Sequence, residues 1–325
     1  MEHTPNGILL VDKAEGWTSH DVVAKARRAL GTRKVGHAGT LDPMATGLLM
    51  LGAGPATRLL THLVGLDKTY TATVRLGQAT VTDDREGDVL SAAPAGWIAQ
   101  LAADPAPLGA AAAALTGPIE QAPSAVSAIK VDGKRAYDRV RAGETVTLKK
   151  RPVTIHELTL GTPALRVIPA GDGETREVLD VEVTVRCSSG TYVRAIARDL
   201  GEALGVGGHL TALRRTRVGP FGVEDAISTE TLAAAALGAD ALRSPAEIAS
   251  ALFPAIALTG AQEIDLGHGK RFELDEGQCA DTHLAAAIAP SGRLVGLVEV
   301  KRGRVRVVTN FPAVPATDRV EEKPE

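Results

Sequence analysis

Aromatic and sulfur-bearing side chains are scarce in this chain of 325 residues. Phe, Trp and Tyr together make up 3% of the sequence, and the two cysteines, Cys187 and Cys279, lie far apart. Two such cysteines form no disulfide framework and match no metal-ligand spacing, which is typical of a protein in the reducing cytoplasm. The sequence also lacks a secretory signal and any apolar run long enough to span a membrane. We therefore expect a cytoplasmic protein with no membrane partner.

An excess of positive charge is missing as well, because the formal net charge is −3. That total argues against a nucleic-acid partner, but phosphate contact depends on local basic surface. Residues 130–151 carry eight basic and three acidic side chains, and residues 186–217 carry six basic and two acidic ones. Solvated faces explain both clusters equally well on charge alone. Only their position beside the motifs described below favours a nucleic-acid surface.

Strand and helix patterns alternate without regular βαβ spacing, and hairpins recur. Residues 68–76 alternate between apolar and polar side chains, and residues 178–186 should pair with residues 154–160. We further predict a helix over residues 18–30, a glycine-rich loop over 35–39, a strand over 126–131 and a helix over 135–141. These elements predict an α+β fold whose core is a mixed sheet with flanking helices.

Alanine-rich and proline-containing stretches divide the chain into three parts, with boundaries at Pro254 and Pro312. We expect a large domain over residues 1–253, a small β-rich module over 254–311 and a disordered tail over 312–325. Within the module, strands over 294–300 and 304–308 should flank a turn at Arg302-Gly303. The basic residues Lys301, Arg302, Arg304 and Arg306 cluster at this hairpin, where they form either a binding surface for an anionic partner or a solvated face.

The densest chemical motif is GHAGTLDPMATG at residues 36–47, which surrounds one carboxylate, Asp42, with small residues. Small residues let a bulky ligand and the backbone approach that carboxylate closely. Asp42-Pro43 is also a common helix start, with Asp as the cap and Pro at the first helical position. The motif alone leaves both interpretations open.

The wider pattern resembles the TruB-type family of tRNA pseudouridine-55 synthases over roughly residues 7–222. The matching blocks occur in the family's order: GILLVDK at 7–13, GWTS at 16–19, the motif at 36–47, KTY at 68–70 with LG at 76–77, QAPS at 121–124 with SAIK at 127–130, SGTYVR at 189–194 with DLG at 199–201, and L at 210 through LRR at 213–215. The ordered set is far more specific than any single block. The module at 254–311 weakly resembles the small PUA-like RNA-binding appendage of the family.

The resemblance implies conversion of the uridine at position 55 in the T-loop of tRNA into pseudouridine, without metal or cofactor. It implies that Asp42 is the catalytic carboxylate and that Arg194 pairs with it. Tyr70 matches the tyrosine that stacks on the flipped base, and Tyr192 matches a second pocket tyrosine near carbon 5. Leu213 matches an apolar residue of the base pocket; Tyr70 and Leu213 are equally explained as core residues.

Three further residues are candidates for RNA contact. His37 resembles the histidine that packs into the T-loop, and Arg58 and Lys130 are assigned to backbone or substrate contact. Because Tyr192 and Arg194 share a face only in an extended chain, we predict that the helix begins after them. We expect a monomer that needs no obligate protein partner. The alternatives are an RNA-binding helper of tRNA folding and a guide-RNA-dependent synthase subunit.

Overall fold

A computed structural model describes residues 5–124, 130–131, 134–135, 149–171, 173–234, 236–275 and 277–312. The predicted strand at 126–131 and helix at 135–141 fall largely outside these ranges, as does the predicted tail. The chain forms two compact units. The first comprises Met1–Pro43, Leu48–Val64 and Pro220–Glu325, and the second comprises Met44–Gly47 and Gly65–Gly219.

The strands and helices occur throughout the described chain. The strands are β1 Gly7–Lys13, β2 Val35–Ala38, β3 Thr46–Ala53, β4 Lys68–Leu76, β5 Gln78–Thr80, β6 Val89–Ala92, β7 Gly117–Gln121, β8 Lys130–Val131, β9 Lys134–Arg135, β10 Arg151–Leu160, β11 Ala164–Gly171, β12 Glu174–Cys187, β13 Gly208–Val218, β14 Phe221–Gly222, β15 Ile227–Ser228, β16 Ala255–Ala257, β17 Phe272–Glu273, β18 Thr282–Ile288, β19 Leu294–Lys301 and β20 Arg304–Asn310. The α-helices are α1 Ser19–Ala29, α2 Leu60–Val64, α3 Trp97–Ala103, α4 Ala106–Ala114, α5 Val193–Ala203, α6 Thr229–Ala234, α7 Pro245–Leu252 and α8 Gly260–Gly267, with 3-10 turns at Gly54–Leu59, Val223–Asp225 and Ala239–Ala241.

In the first unit, β1 lies between β15 and β3, and β2 pairs antiparallel with β3. The prediction of a loop over residues 35–39 is therefore wrong, because residues 35–38 form a strand. Gly36 lies opposite Gly52, and a Cβ on either glycine would approach the Leu60 side chain to about 3 Å. The glycines of this segment thus allow Leu60 to pack over two paired strands. The predicted helix after Thr18 is confirmed, and Thr18 caps it in a reciprocal hydrogen-bond pair with Asp21.

In the second unit, the strand order is β13-β4-β12-β10-β7, with β11 paired to β12. The predicted strand over residues 68–76 is confirmed, with alternate residues buried from Lys68 to Leu76. The predicted pairing of 154–160 with 178–186 is also confirmed, in antiparallel register. Because β3 and β13 pair in parallel through Thr46 and Gly47, the sheet is mixed, as expected.

The start of α5 departs from the prediction. Tyr192 is extended, with φ −100° and ψ 106°, and acts as the N-cap, and the helix begins at Val193. Arg194 therefore belongs to the first helical turn, and the helix begins two positions earlier than predicted. From this helical position, the guanidinium group of Arg194 donates to the Thr82 carbonyl.

The C-terminal residues form their own five-stranded sheet in the order β16-β18-β19-β20-β17. Its core is made of small aliphatic side chains, including Leu266, Ala285, Val298 and Val305, each fully buried. The predicted hairpin is confirmed, and both turn residues have positive φ, 52° for Arg302 and 72° for Gly303. Within the described ranges, no helix has the length and apolarity that crossing a membrane requires.

Candidate active site

The Asp42 carboxylate is partly exposed at a loop whose backbone is fixed on its N-terminal side by Ser19. The buried Ser19 hydroxyl accepts a hydrogen bond from the Leu41 N–H at 2.9 Å and donates to the Leu41 carbonyl at 3.1 Å. Ser19 is the first residue of α1, so the helix start and the loop are joined directly. Pro43 is followed by a turn and then by β3, so Asp42-Pro43 does not start a helix in this fold.

Lys13 fixes the loop on its C-terminal side. The Lys13 side chain is completely buried, and its ammonium group donates to the carbonyl oxygens of Ala14, Trp17 and Pro43 at 3.0, 2.7 and 3.2 Å. The Gly16 N–H also donates to Pro43 at 2.9 Å. Carbonyl oxygens on several sides compensate part of the cost of burying the charge. The aspartate is thus presented between two fixed residues.

Two other candidates from the sequence lie in the same unit. His37 is half-buried on β2, and its ring meets the edge of the His20 ring at a centroid distance of 5.9 Å. Arg58 is exposed in the 3-10 turn, and its guanidinium group donates to the backbone carbonyl of Asn310 at the end of β20. Arg58 therefore has a structural partner besides any RNA that it contacts.

Tyr70 and Leu213 lie on the buried face of the sheet in the second unit. Tyr70 stands opposite Arg215 of β13, and Leu213 stands opposite Ala72 of β4, so both side chains point to one face. Both residues are 7% exposed.

Basic groups lie on the same face. Lys68 and Arg215 are both buried there. Burial, together with the neighbouring charge of Arg215, lowers the pKa of Lys68 to about 8. On the adjacent strand, burial raises the pKa of the Cys187 thiol to about 11, so this cysteine stays a neutral thiol at physiological pH.

Tyr192 is held through its backbone by Gln121. The Gln121 side chain accepts from the Tyr192 N–H at 2.8 Å and donates to the Tyr192 carbonyl at 3.1 Å. Gln121 is 2% exposed and ends β7. The reciprocal pair fixes the backbone from which the half-buried Tyr192 ring projects.

Arg194 is buried and carries a buried counter-ion. Its guanidinium group lies 3.2 Å from the Asp84 carboxylate, with side-chain exposures of 6% and 4%, and donates to the Thr82 carbonyl at 2.7 Å. A third contact, to the Ser124 hydroxyl, measures 3.4 Å. Asp84 in turn accepts from the Thr82 hydroxyl at 2.5 Å and from the Glu86 N–H at 3.0 Å. Paired and hydrogen-bonded in this way, the charges form a rigid group.

Sequence reasoning gave no role to Asp84, Lys13 or Gln121. Asp84 lies in a stretch, Thr82-Asp83-Asp84, that resembles any solvated turn, and only burial distinguishes it. Lys13 is the last residue of the apolar strand β1, and this position is the only feature of the sequence that could have indicated its role. The backbone of Lys130 lies in β8, and its side chain is outside the described structure. Among the described residues, no group of three or more His, Cys, Asp or Glu side chains is arranged to hold a metal ion.

Solved structures share this fold. A chain described as "Structure of H/ACA RNP bound to a substrate RNA containing 2'-deoxyuridine" is 24% identical, with a TM-score of 0.63 over 96% of this chain and 86% of that one. A chain of "a Cbf5-Nop10-Gar1 Complex" is 25% identical, with a TM-score of 0.61 over 95% of this chain and 86% of that one. This chain therefore shares the architecture of these two chains, and the predicted α+β fold with a mixed sheet is confirmed.

Comparison of the sequence with models of protein families identifies one family. The model described as "TruB family pseudouridylate synthase (N terminal domain)" matches residues 27–193. "tRNA pseudouridylate synthase B C-terminal domain" matches 194–255, and "tRNA Pseudouridine synthase II, C terminal" matches 253–312. The chain belongs to the TruB family, and the resemblance seen in its motifs is confirmed.

Relatives named "tRNA pseudouridine synthase B" match nearly the whole chain. The protein of Leifsonia xyli subsp. xyli is 54% identical over 95% of this chain and 97% of its own length. The protein of Thermobifida fusca is 50% identical over 94% of this chain and 98% of its own length.

Proposed function

We propose that this protein isomerises the uridine at position 55 in the T-loop of tRNA to pseudouridine. The observation that carries the proposal is its end-to-end similarity to proteins named tRNA pseudouridine synthase B, at 54% identity over 95% of the chain in one relative. The fixed presentation of Asp42 by Ser19 and Lys13 supports it, because a catalytic carboxylate must be held in one geometry.

The reaction breaks the bond between N1 of uracil and C1′ of the ribose, rotates the base, and joins C5 to C1′. The proton on C5 is lost and N1 gains one, so the product is an isomer and no group donor is consumed. Asp42 acts as the nucleophile or as the base. Tyr70 stacks on the flipped base, Leu213 lines its pocket, and Tyr192 accepts the C5 proton. These residues also exclude water, which would otherwise let the detached base escape.

Arg194 serves as the counter-ion of Asp42 in this proposal. Its buried pairing with Asp84 and its hydrogen bond to Thr82 support such a role, because they hold the guanidinium group in one orientation before RNA arrives. The chemistry calls for no metal or cofactor.

His37, Arg58 and Lys130 contact the RNA in this proposal. Extruding a nucleotide costs about a few kcal/mol, which contacts to the emptied loop and the backbone must offset. The half-buried position of His37 leaves part of the ring able to stack on a base. The exposed guanidinium of Arg58 has further donors beyond the one that Asn310 accepts.

Residues 1–253 form the catalytic domain in this proposal, and residues 254–311 form an RNA-binding PUA-like module. A groove of the module supports this, because its lining has more cationic than acidic side chains: Arg271, Lys301, Arg302, Arg304 and Arg306 against Glu273 and Glu299. Arg304 and Arg306 pair with the two glutamates at 3.0 and 2.8 Å. The net charge of the lining is thus positive, which suits a phosphate backbone. We further propose a cytoplasmic monomer without an obligate protein partner and with a disordered tail at 312–325.

Tritium release from tRNA labelled at C5 of uridine tests the proposal directly. Purified protein, alone, is mixed with an unmodified tRNA transcript. We expect wild-type protein to release tritium and Asp42→Asn to release none, because the amide neither attacks nor accepts a proton. Asp225→Asn is the matched control: Asp225 is exposed, pairs with Arg243 at 3.2 Å, and should leave the rate unchanged. Release by Asp42→Asn at the wild-type rate would falsify the assignment.

The same assay separates the alternatives. A pure helper of tRNA folding would improve the folded fraction of tRNA without releasing tritium. A guide-dependent subunit would release tritium only after a guide RNA is added.

Salt dependence tests the module. Replacing Lys301 and Arg302 with Ala should weaken tRNA binding and make the slope of log K against log salt shallower by about 1 to 2. An unchanged slope would mean that the groove does not touch phosphates.

A further inference from the structure

Two arginines one helical turn apart on α5 meet two successive carboxylates. Arg194 lies 3.2 Å from Asp84, and Arg198 lies 3.3 Å from Asp83. Because residues four apart share one face of a helix, both guanidinium groups point to the same turn. The Arg198 pair is largely buried, with side-chain exposures of 19% and 11%. The proposed mechanism makes no use of this second pair.

Arg198 also holds a second segment of chain. Its guanidinium donates to the carbonyl of Ala122 at 2.9 Å and to the carboxylate of Asp199 at 2.7 Å. Ala122 lies between Gln121, which holds the Tyr192 backbone, and Ser124, whose hydroxyl donates to the Thr82 carbonyl at 3.1 Å. Residues 121–124, which we call the strap, are therefore hydrogen-bonded to Tyr192 at one end and to Thr82, the partner of Arg194, at the other.

The turn that contains Asp83 needs such support. Asp83 has a φ of 59°, in the left-handed region, which is uncommon for a residue other than glycine. Its carboxylate is buried, and burial raises the pKa of that carboxyl although the Arg198 charge opposes the shift. A conformation of this kind persists only where the surroundings over-determine it. Arg198 supplies the charged partner, and the Leu210 N–H donates to the Asp83 carbonyl at 3.0 Å.

We propose that Arg198 is a positioning residue for the isomerisation: by binding Asp83 and Ala122, it fixes the turn and the strap that orient Arg194 and Tyr192. The inference rests on the proposed function. Arg198 acts through its neighbours and carries no charge or proton for the reaction itself. If the ion pair served stability alone, breaking it would lower the melting temperature and leave the rate of the chemical step unchanged.

The test is the single-turnover rate of tritium release from C5-labelled tRNA, with enzyme in excess, beside the Kd for tRNA and the melting temperature. Arg198→Gln and Asp83→Asn each remove one charge of the pair. We expect each to lower the single-turnover rate by about 10-fold to 100-fold while Kd changes by less than about twofold. The double variant should be no slower than the slower single variant, since both changes break one interaction. Arg198→Lys should recover part of the rate.

Arg75→Gln is the matched control. Arg75 forms a two-pronged ion pair with Asp180, at 2.7 Å for each contact and with side-chain exposures of 23% and 18%, between strands β4 and β12. It should lower the melting temperature without changing the rate. If Arg198→Gln does not fold, Asp83→Asn, which preserves shape, decides the question by the same criterion.

The outcomes separate the two proposals. If the wild type is active and the single-turnover rates of Arg198→Gln and Asp83→Asn equal that of Arg75→Gln, the role of Arg198 is overturned but the proposed function is not. Wild-type protein that releases no tritium overturns the proposed function and this role with it. A slow chemical step with unchanged Kd, recovered in part by lysine, establishes the role.

Discussion

Replacing Asp84 with asparagine removes one buried negative charge beside Arg194 and little else. The amide has the shape of the carboxylate and can keep the hydrogen bonds from the Thr82 hydroxyl and the Glu86 N–H, at 2.5 and 3.0 Å. Its NH2 group then faces the Arg194 guanidinium, where the carboxylate oxygen lies 3.2 Å away in the native protein. A donor thus meets a donor, and the buried charge of Arg194 loses this carboxylate.

The expected cost follows from the burial of this pair. With side-chain exposures of 6% and 4%, solvent cannot replace the lost charge. Breaking a buried pair from one side costs about 3 to 5 kcal/mol, whereas an exposed pair contributes about 0 to 1 kcal/mol. We expect Asp84→Asn to lower the free energy of unfolding by about 3 kcal/mol. A displacement of Arg194 by about 1 Å should slow the reaction about 100-fold.

Urea unfolding and single-turnover tritium release measure the two effects. Asp180→Asn, which breaks the more exposed pair with Arg75, is the control and should cost about 1 kcal/mol with no loss of rate. The reasoning fails if Asp84→Asn costs no more than Asp180→Asn, or if it unfolds more easily yet reacts at the wild-type rate. The second result would mean that Arg194 does not need Asp84 for its orientation.

Three other perturbations test single contacts. Gly47→Ala should cost more than about 2 kcal/mol in urea unfolding, because φ is 101° and the new Cβ would lie 2.2 Å from a backbone oxygen of β13, whereas Gly16→Ala, with φ of 82° and open space, should cost about 1 kcal/mol. Ser19→Ala should cost about 1 to 3 kcal/mol and slow tritium release, because it leaves two buried backbone groups of Leu41 without their side-chain partner. Normal activity and stability would show that the two hydrogen bonds between Ser19 and Leu41 are dispensable. Lys68 has a pKa of about 8 in the folded protein against 10.5 normally, so between these pH values the unfolded chain binds more protons than the folded one. The free energy of unfolding of the wild type should therefore rise with pH by about 1 to 2 kcal/mol relative to Lys68→Met, after allowance for solvent screening. A difference between the two proteins that does not depend on pH contradicts this.

Local pattern was sufficient for the strands and for the motif that contains Asp42. The alternation over residues 68–76 predicted which side of β4 is buried, because side chains in a strand point alternately to opposite faces. The same logic predicted the C-terminal hairpin, since glycine at Arg302-Gly303 permits the positive φ that a tight turn needs. Both are properties of neighbouring residues, so the sequence contains them directly.

Tertiary structure alone decided which charges are buried and what each one meets. Thr82-Asp83-Asp84 has the composition of an exposed turn, and its two carboxylates are buried only because α5 brings Arg194 and Arg198 against it. Likewise the glycines around His37 suggested a loop, while pairing with β3 made residues 35–38 a strand. A charged side chain is stable in the interior only beside a partner, and such partners are distant in sequence, so no local periodicity encodes them.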